Sequence, residues 1–314
     1  MYTCGICGER ANIVLKARNL SLCSKCFVEW FEDNVRENII KWDMVRRGDV
    51  VAVATSGGKD SLTTLYLMNK MARDFSIRVL GLHVNEGIKG YREFKLKALI
   101  DFCRKHDIEL HIVSFKEYFG YALDEMIEKA RSRGKMVYKP CTICGVFRRY
   151  LINLYARKLG ATKVATGHNL DDEVQVFIMN IFNNNMMNIA REKAVTGIAF
   201  SPKFVPRIKP LYSLYEKEVV MYAYLKGIRT PHVECPYVVY SSRHLIRHMI
   251  NELEYLNPGF KLKLLEAKEK AQRMLSREYS RYMVVGECKI CGEPSSGDIC
   301  KACQLRSYLS NISV

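Results

Sequence analysis

The sequence has no apolar run long enough to cross a bilayer, and Met1-Tyr2-Thr3-Cys4 lacks the basic-then-apolar pattern of an export signal. These absences exclude a helical membrane protein and lead to the expectation of a cytoplasmic chain with no membrane partner. Low-complexity segments are missing too, and nothing repeats apart from two cysteine-rich modules. Acid is the scarce charge: 33 Asp and Glu stand against 49 Lys and Arg, a formal net charge of +16. That excess suits a polyanionic partner. The deficit is deepest between residues 129 and 150, where Lys129, Arg131, Arg133, Lys135, Lys139, Arg148 and Arg149 occur with no Asp or Glu. Tyr138, Phe147 and Tyr150 are interleaved among them, a mixture suited to phosphates and unstacked bases.

Cysteine, by contrast, is plentiful: twelve residues, most of them in C-x-x-C pairs. In a cytoplasmic chain that grouping points to metal rather than to a disulfide scaffold. Cys4, Cys7, Cys23 and Cys26 form one set of four, and Cys288, Cys291, Cys300 and Cys303 form another. Each supplies four thiolates for tetrahedral zinc, and four protein ligands leave no open position, so both zincs are expected to be structural. Cys103, isolated in an apolar stretch, reads as a core residue. Cys141, Cys144 and Cys235 are left over. A C-x-x-C pair alone could serve as a redox dithiol or a relay, whereas three thiolates can hold a cubane iron–sulfur cluster with one iron unligated by protein.

With 48% apolar residues, 314 residues can bury one large core with appendages. Ser56-Gly57-Gly58-Lys59-Asp60-Ser61 follows the apolar run at 50–54 and precedes a helical pattern, giving a strand, a glycine-rich turn and a helix N-terminus. That arrangement binds phosphate. It is not a Walker A loop, which would need glycine at Val53 and a hydroxyl at Asp60, so chemistry other than γ-phosphoryl transfer is expected. Strands at 50–55, 77–84, 109–114 and 163–166 alternate with helices at 61–71, 91–105, 145–159 and 171–182. The alternation predicts an α/β fold with a doubly wound parallel sheet. Ligands in such sheets bind beyond the carboxyl ends of the strands, where Ser56, Asn85 and Gly167 fall.

Past Pro210 the pattern turns helical. Ser213-Leu214-Tyr215-Glu216 reads as a capping box and Gly227 as a stop. Further helical patterns at 241–255 and 261–283 form a C-terminal helical extension. The lysines and arginines of the last stretch, among them Lys261, Lys263, Lys268 and Lys270, read as a solvated face or an RNA contact. The expected units are an N-terminal zinc module with a linker helix (1–46), a catalytic domain (47–240), the helical extension (241–284) and a C-terminal zinc module (285–314).

The string from Ser56 to Ser61 resembles the PP-loop of the N-type ATP pyrophosphatases. That likeness implies cleavage of ATP between its α and β phosphates and activation of a carbonyl oxygen as the adenylate. His83-Val84-Asn85-Glu86-Gly87, Cys141-Thr142-Ile143-Cys144-Gly145, Gly167-His168-Asn169-Leu170-Asp171-Asp172-Glu173 and Glu234-Cys235-Pro236 narrow the resemblance. With a cysteine cluster at each end, nearly the whole chain is similar to the tRNA 2-thiouridine synthases, which include the TtuA proteins and the archaeal and eukaryotic cytosolic thiolation enzymes.

The resemblance implies that Ser56, Gly57, Gly58, Lys59, Asp60 and Ser61 bind ATP and Mg²⁺, with Lys59 stabilising charge on the departing pyrophosphate. It places His83, Val84 and Asn85 around the adenosine, Gly167 nearby, and His168 either on ATP or in a turn. Asp172 matches a catalytic aspartate that holds Mg²⁺ or acts on the uridine N3 proton, leaving Asp171 as the helix cap. Cys141, Cys144 and Cys235 match the ligands of a [4Fe–4S] cluster. The alternative is a persulfide relay between Cys141 and Cys235 without iron. Arg148 departs from the TtuA pattern, which has lysine there, but retains a cation. With the strings 86–92 and 144–149, this departure looks closer to the enzymes of the wobble position. Uridine 34 is therefore the expected target, with position 54 of the T-loop as the alternative. A PP-loop amidotransferase or ligase is the reading from another class. The sulfur source would be a ubiquitin-like sulfur carrier or inorganic sulfide, and a homodimer is plausible from the resemblance.

Overall fold

A computed structural model describes residues 2–132, 137–196, 201–240, 243–279 and 285–310. The chain opens on a hairpin, β1 (Ile13–Leu15) antiparallel to β2 (Leu20–Leu22), and continues into α1 (Ser24–Lys41). Phe27, Phe31, Val35 and Ile39 recur at i, i+4 spacing on α1 and are buried, so this helix packs one face into the core. Alternation then proceeds through β3 (Val50–Thr55), α2 (Lys59–Lys70), β4 (Arg78–Asn85), α3 (Arg92–Lys105), β5 (Leu110–Ser114), α4 (Phe115–Phe119) and α5 (Leu123–Ser132). It continues with α6 (Pro140–Lys158), β6 (Lys163–Ala165), α7 (Leu170–Phe182), α8 (Met186–Arg191), β7 (Val195–Thr196), β8 (Arg207–Ile208) and α9 (Glu216–Leu225).

The six-stranded sheet has the order β5-β4-β3-β6-β8-β7 and is parallel except for β7, which runs antiparallel on the edge. Both faces are covered, as the near-continuous apolar run of β3 requires. Val51 and Val53 pack with Leu62 and Leu65 of α2 and Val219 of α9, while Ala52 packs with Leu80, Leu82, Val164 and Ala156 of α6. The α/β expectation holds. The two-residue strands β7 and β8 carry too short a pattern to be read from sequence.

Three local expectations change. The helix expected from residue 145 starts at Pro140, because proline fits the first helical position, and this brings Cys141 and Cys144 into its first two turns. The capping box expected at Ser213 does not form. Helix α9 starts at Glu216, the Tyr215 N–H is held by Glu218 Oε2 at 2.9 Å, and Ser213 Oγ instead donates to Asn38 Oδ1 at 2.9 Å. Finally, α10 (Arg243–Leu256) and α11 (Phe260–Glu278) follow as the extension; positions 241, 242 and 280–284 lie outside the described residues. Lys261 and Lys268 on α11 are buried rather than solvated, because carboxylates of α7 meet them: Lys261 pairs with Asp171, and Lys268 with Glu173. The last module, β9 (Gly286–Glu287), β10 (Pro294–Ser295) and α12 (Lys301–Ser310), packs through α12 on α5 and α6. Among the described residues no helix is long and apolar enough to cross a membrane.

Glu173 is buried and also meets Lys209 at 2.7 Å. Burial pushes its pKa up, but the Lys209 and Lys268 ammoniums outweigh this and hold it at about 2. Replacing Lys268 by Met leaves the buried carboxylate short of a counter-charge and is expected to cost on the order of 3–5 kcal/mol in urea unfolding, with partial recovery when Glu173→Gln is added. The Glu173 contribution is present above the unfolded carboxylate pKa of ~4.3. It is lost as pH falls through about 2, so the gap between wild type and K268M narrows across that window.

Candidate active site

Strand β3 ends at Thr55 and α2 begins at Lys59, so the glycine string forms the turn between them. Gly57 has φ +76°, and a Cβ there would stand 2.4 Å from the Lys95 carbonyl oxygen. Only glycine fits. Gly58 caps α2 without a side chain, which leaves the first-turn N–H groups facing outward. Ser61 Oγ accepts from the Ser56 N–H at 3.1 Å and donates to the Gly58 carbonyl at 3.0 Å. Arg92 Nη1 fixes the Ser56 carbonyl at 2.8 Å. The loop at Gly167 closes against this turn: a Cβ on Gly167 would lie 2.8 Å from the Asp60 and Ser61 backbone, and Asn169 Nδ2 donates to Asp60 Oδ1 at 3.1 Å.

A crevice of about 480 Å³ opens at the carboxyl ends of the strands. Among the residues singled out in the sequence, Ser56, Asp60, Ser61, Val84, Arg148, Gly167, His168 and Asp172 line it. Lys59 is turned between Asp60 Oδ2 at 3.1 Å and Glu216 Oε1 at 2.8 Å. His83 and Asn85 do not line the crevice, since alternate residues of a strand face opposite sides. His83 is fully buried with Nδ1 2.7 Å from the Thr55 carbonyl oxygen, and burial, reinforced by Arg92, lowers its pKa to about 4. Asn85 Oδ1 accepts from the Gly87 N–H at 2.9 Å. His168 faces the crevice and its solvent; the surrounding walls and the Lys209 charge push its pKa down, so the ring is neutral at pH 7.

Asp172 lines the crevice as expected, but the cap expected of Asp171 is supplied otherwise. Asn169 is the cap of α7, and Asp172 is its reciprocal partner: Asn169 Oδ1 accepts from the Asp172 N–H at 3.1 Å, and Asp172 Oδ2 from the Asn169 N–H at 3.2 Å. The other Asp172 oxygen accepts from Arg243 Nη2 at 2.6 Å. Burial raises the Asp172 pKa, and Arg243 opposes that rise. Asp171 is not the cap; it is buried beneath Lys261 and accepts the Glu216 N–H at 2.7 Å. Six charged residues of the crevice wall, Glu86, Glu173, Glu192, Arg207, Lys209 and Arg243, have no site role in the sequence reading, and Arg149 appears there only within the basic segment 129–150. The pair Arg207 and Lys209 around Ile208 carries a weak strand-end signal, whereas Arg243 comes from a distant helix and has none.

The three remaining cysteines come to one end of α6. Cys141 and Cys144 share a face at i, i+3, and Cys235 immediately precedes the 3₁₀ turn Pro236–Tyr240 that packs on that helix. Cys141 Sγ donates to the Tyr237 carbonyl at 3.4 Å. Burial and then the Glu86 carboxylate push the Cys144 thiol up to about 12. Glu86 is paired with Arg92 at 2.6 Å and lies 3.5 Å from Arg148, so one buried acid connects the glycine turn to the cysteine group. A set of three soft sulfur donors from two chain segments is chemically suited to an iron–sulfur cluster. In each terminal set of four cysteines the sulfurs lie within 4.8 Å of one another. Backbone N–H groups donate to them, Cys26 to Cys23 Sγ at 3.4 Å and Cys300 to Cys288 Sγ at 3.2 Å, a geometry that fits tetrahedral metal.

The sequence profile of the PP-loop domain matches residues 29–254. A probable sulfurtransferase of Methanocaldococcus jannaschii is 36% identical over 308 residues, 98% of this chain and 88% of that protein. The tRNA-5-methyluridine(54) 2-sulfurtransferase of Thermus thermophilus is 34% identical, covering 96% of this chain and 90% of its own length. Among solved structures, the U34-tRNA thiolase NcsA from Methanococcus maripaludis, determined with its [4Fe–4S] cluster, superposes with a TM-score of 0.79 at 32% identity, over 98% of this chain and 97% of that one. Matches of this extent run through both terminal cysteine modules as well as the core, and they establish the chain as a member of the PP-loop family of tRNA 2-thiolation enzymes.

Proposed function

We propose that this enzyme adenylates O2 of wobble uridine 34 and replaces that oxygen by sulfur, with Cys141, Cys144 and Cys235 holding a [4Fe–4S] cluster and one zinc in each terminal cysteine set. The observation that carries the reading is the meeting of Cys141, Cys144 and Cys235 at the start of α6, a helix whose Arg148 and Arg149 line the same crevice as Ser56, Asp60 and Ser61 of the phosphate-binding turn. Position 34 is supported by Arg148 and by likeness to the U34-tRNA thiolase structure, although a relative that acts on position 54 is as similar overall.

The triphosphate would lie across the outward N–H groups of the first turn of α2, with Ser56 and Ser61 fixing the loop and Lys59 swinging from Glu216 to the pyrophosphate. Asp60 would hold Mg²⁺. Asp172, its pKa raised by burial, would accept the uridine N3 proton as O2 attacks the α-phosphorus and pyrophosphate departs. Arg148 would stabilise negative charge on the adenylated intermediate until AMP leaves with the former O2. When bound, the cluster would supply a sulfide nucleophile from its one iron without a protein ligand. The sulfur would come from a ubiquitin-like carrier or from inorganic sulfide, in the cytoplasm.

Protein purified without oxygen is expected to show a broad band near ~400 nm with cluster-level iron, lost in Cys141→Ala. A colourless, iron-free protein that still thiolates tRNA would favour the Cys141–Cys235 relay. Mass-spectrometric mapping of the product should find 2-thiouridine at position 34; its appearance at 54 overturns that assignment. Mercurial titration with a colorimetric chelator should release one zinc from each four-cysteine set. Asp172→Asn should lower kcat by at least ~100-fold. Because Arg243 opposes the upward shift at Asp172, Arg243→Gln should raise that pKa further and move the acid limb of kcat/KM to higher pH.

A further inference from the structure

The charged wall of the crevice does not balance residue by residue. Its carboxylates are all engaged: Asp60 with Lys59, Glu86 with Arg92 and Arg148, Asp172 with Arg243, and Glu173 with Lys209 and Lys268. Glu192 accepts from Asn180 at 3.0 Å and lies 4.0 Å from Lys268. Two guanidiniums on the same wall, Arg149 of α6 and Arg207 of β8, have no carboxylate partner among the described residues. Arg207 is half-buried, with the ring of Phe204 at 5.3 Å. Arg149 is on the more exposed rim, with its guanidinium close over Gly145, where even a Cβ would come within 3.2 Å of Nη1. The two charges repel, and burial with that repulsion lowers the Arg207 pKa to about 10. A half-buried cation next to another, with no counter-charge among the described residues, is a site that an anion completes.

The triphosphate does not fill this role, because its turn follows β3, and β8 is two strands away in the sheet, roughly 10 Å at ~4.8 Å per strand. Resting on the thiolation reading above, we propose that Arg149 and Arg207 form a second phosphate subsite, which grips a backbone phosphodiester of the tRNA next to the uridine being modified. The planar forks suit a phosphate bidentately, and such a contact fixes the register of the nucleotide without reading its base. The subsite would hold the sugar-phosphate while the base reaches the adenylation position, so it acts by positioning.

The test compares wild type, Arg149→Gln, Arg207→Gln and Arg207→Lys in the full-length protein, with unmodified tRNA transcript and with ATP as separate probes. Each Gln variant should bind tRNA on the order of tenfold more weakly. The slope of log K against log salt should fall by about 0.7–0.9 for each phosphate that is no longer neutralised. ATP affinity should be unchanged, Arg207→Lys intermediate, and Tm equal or higher because an unpaired cation has been removed. Weaker ATP binding with unchanged tRNA affinity would assign the subsite to the nucleotide and overturn the proposal, as would unchanged binding of both. Should Arg207→Gln fail to fold, the exposed Arg149→Gln decides by the same criteria. A wild type that binds tRNA but forms no 2-thiouridine would refute the thiolation reading while leaving the phosphate contact standing, so the two failures are distinguishable.

Discussion

Three adjacent carboxylates at the start of α7 hold the molecule together. Asp171, Asp172 and Glu173 sit at the positive end of a helix, which favours them, but side by side they repel and two are buried. Their counter-charges come from elsewhere in the chain: Lys261 and Lys268 from α11, Arg243 from α10, and Lys209 from the end of β8. The extension therefore cannot be a detachable appendage. It neutralises the helix end that presents Asp172 to the crevice. Removing one of these cations leaves an acid short of the charge that offsets its desolvation, so the site and the extension are linked by the same electrostatics.

A second constraint is steric. The glycine turn after β3 is pressed at Gly57 by the Lys95 carbonyl and at Asp60 and Ser61 by Gly167, so two glycines from separate loops each permit a close approach. Arg92 then ties Ser56 to Glu86, and Glu86 reaches Arg148 beside Cys144. Phosphate site and cysteine group are thus joined through a single buried acid. This gives a physical route by which nucleotide binding and sulfur chemistry can be kept in register.

Local signals in the sequence had local causes. The glycine turn was legible because strand, glycines and helix start are contiguous, and the two sets of four cysteines because metal ligation imposes spacing on neighbouring residues. The parallel sheet followed from alternating apolar runs. Where competing partners come from distant segments, local rules fail. Ser213 and Glu216 have the spacing of a capping box, but Asn38 takes the first and Lys59 the second. Asp171 looks like a cap until Lys261, ninety residues later, draws it inward. Lys268 reads as a solvated lysine only while Glu173 is left out of account.

By itself the sequence determined the α/β class, the phosphate-binding turn, the terminal cysteine sets and the grouping of Cys141, Cys144 and Cys235 as a separate chemical unit. The first three depend on residue type and short-range spacing, and the last on what remains once the terminal sets are assigned and on the family resemblance. Tertiary structure alone decided that Val84 rather than His83 faces the crevice, that Asp172 rather than Asp171 completes the cap, and that Arg149, Arg207, Lys209 and Arg243 share one wall. Those outcomes depend on which side of a strand is covered and on which distant charge arrives to pair, and both are fixed only when the layers pack.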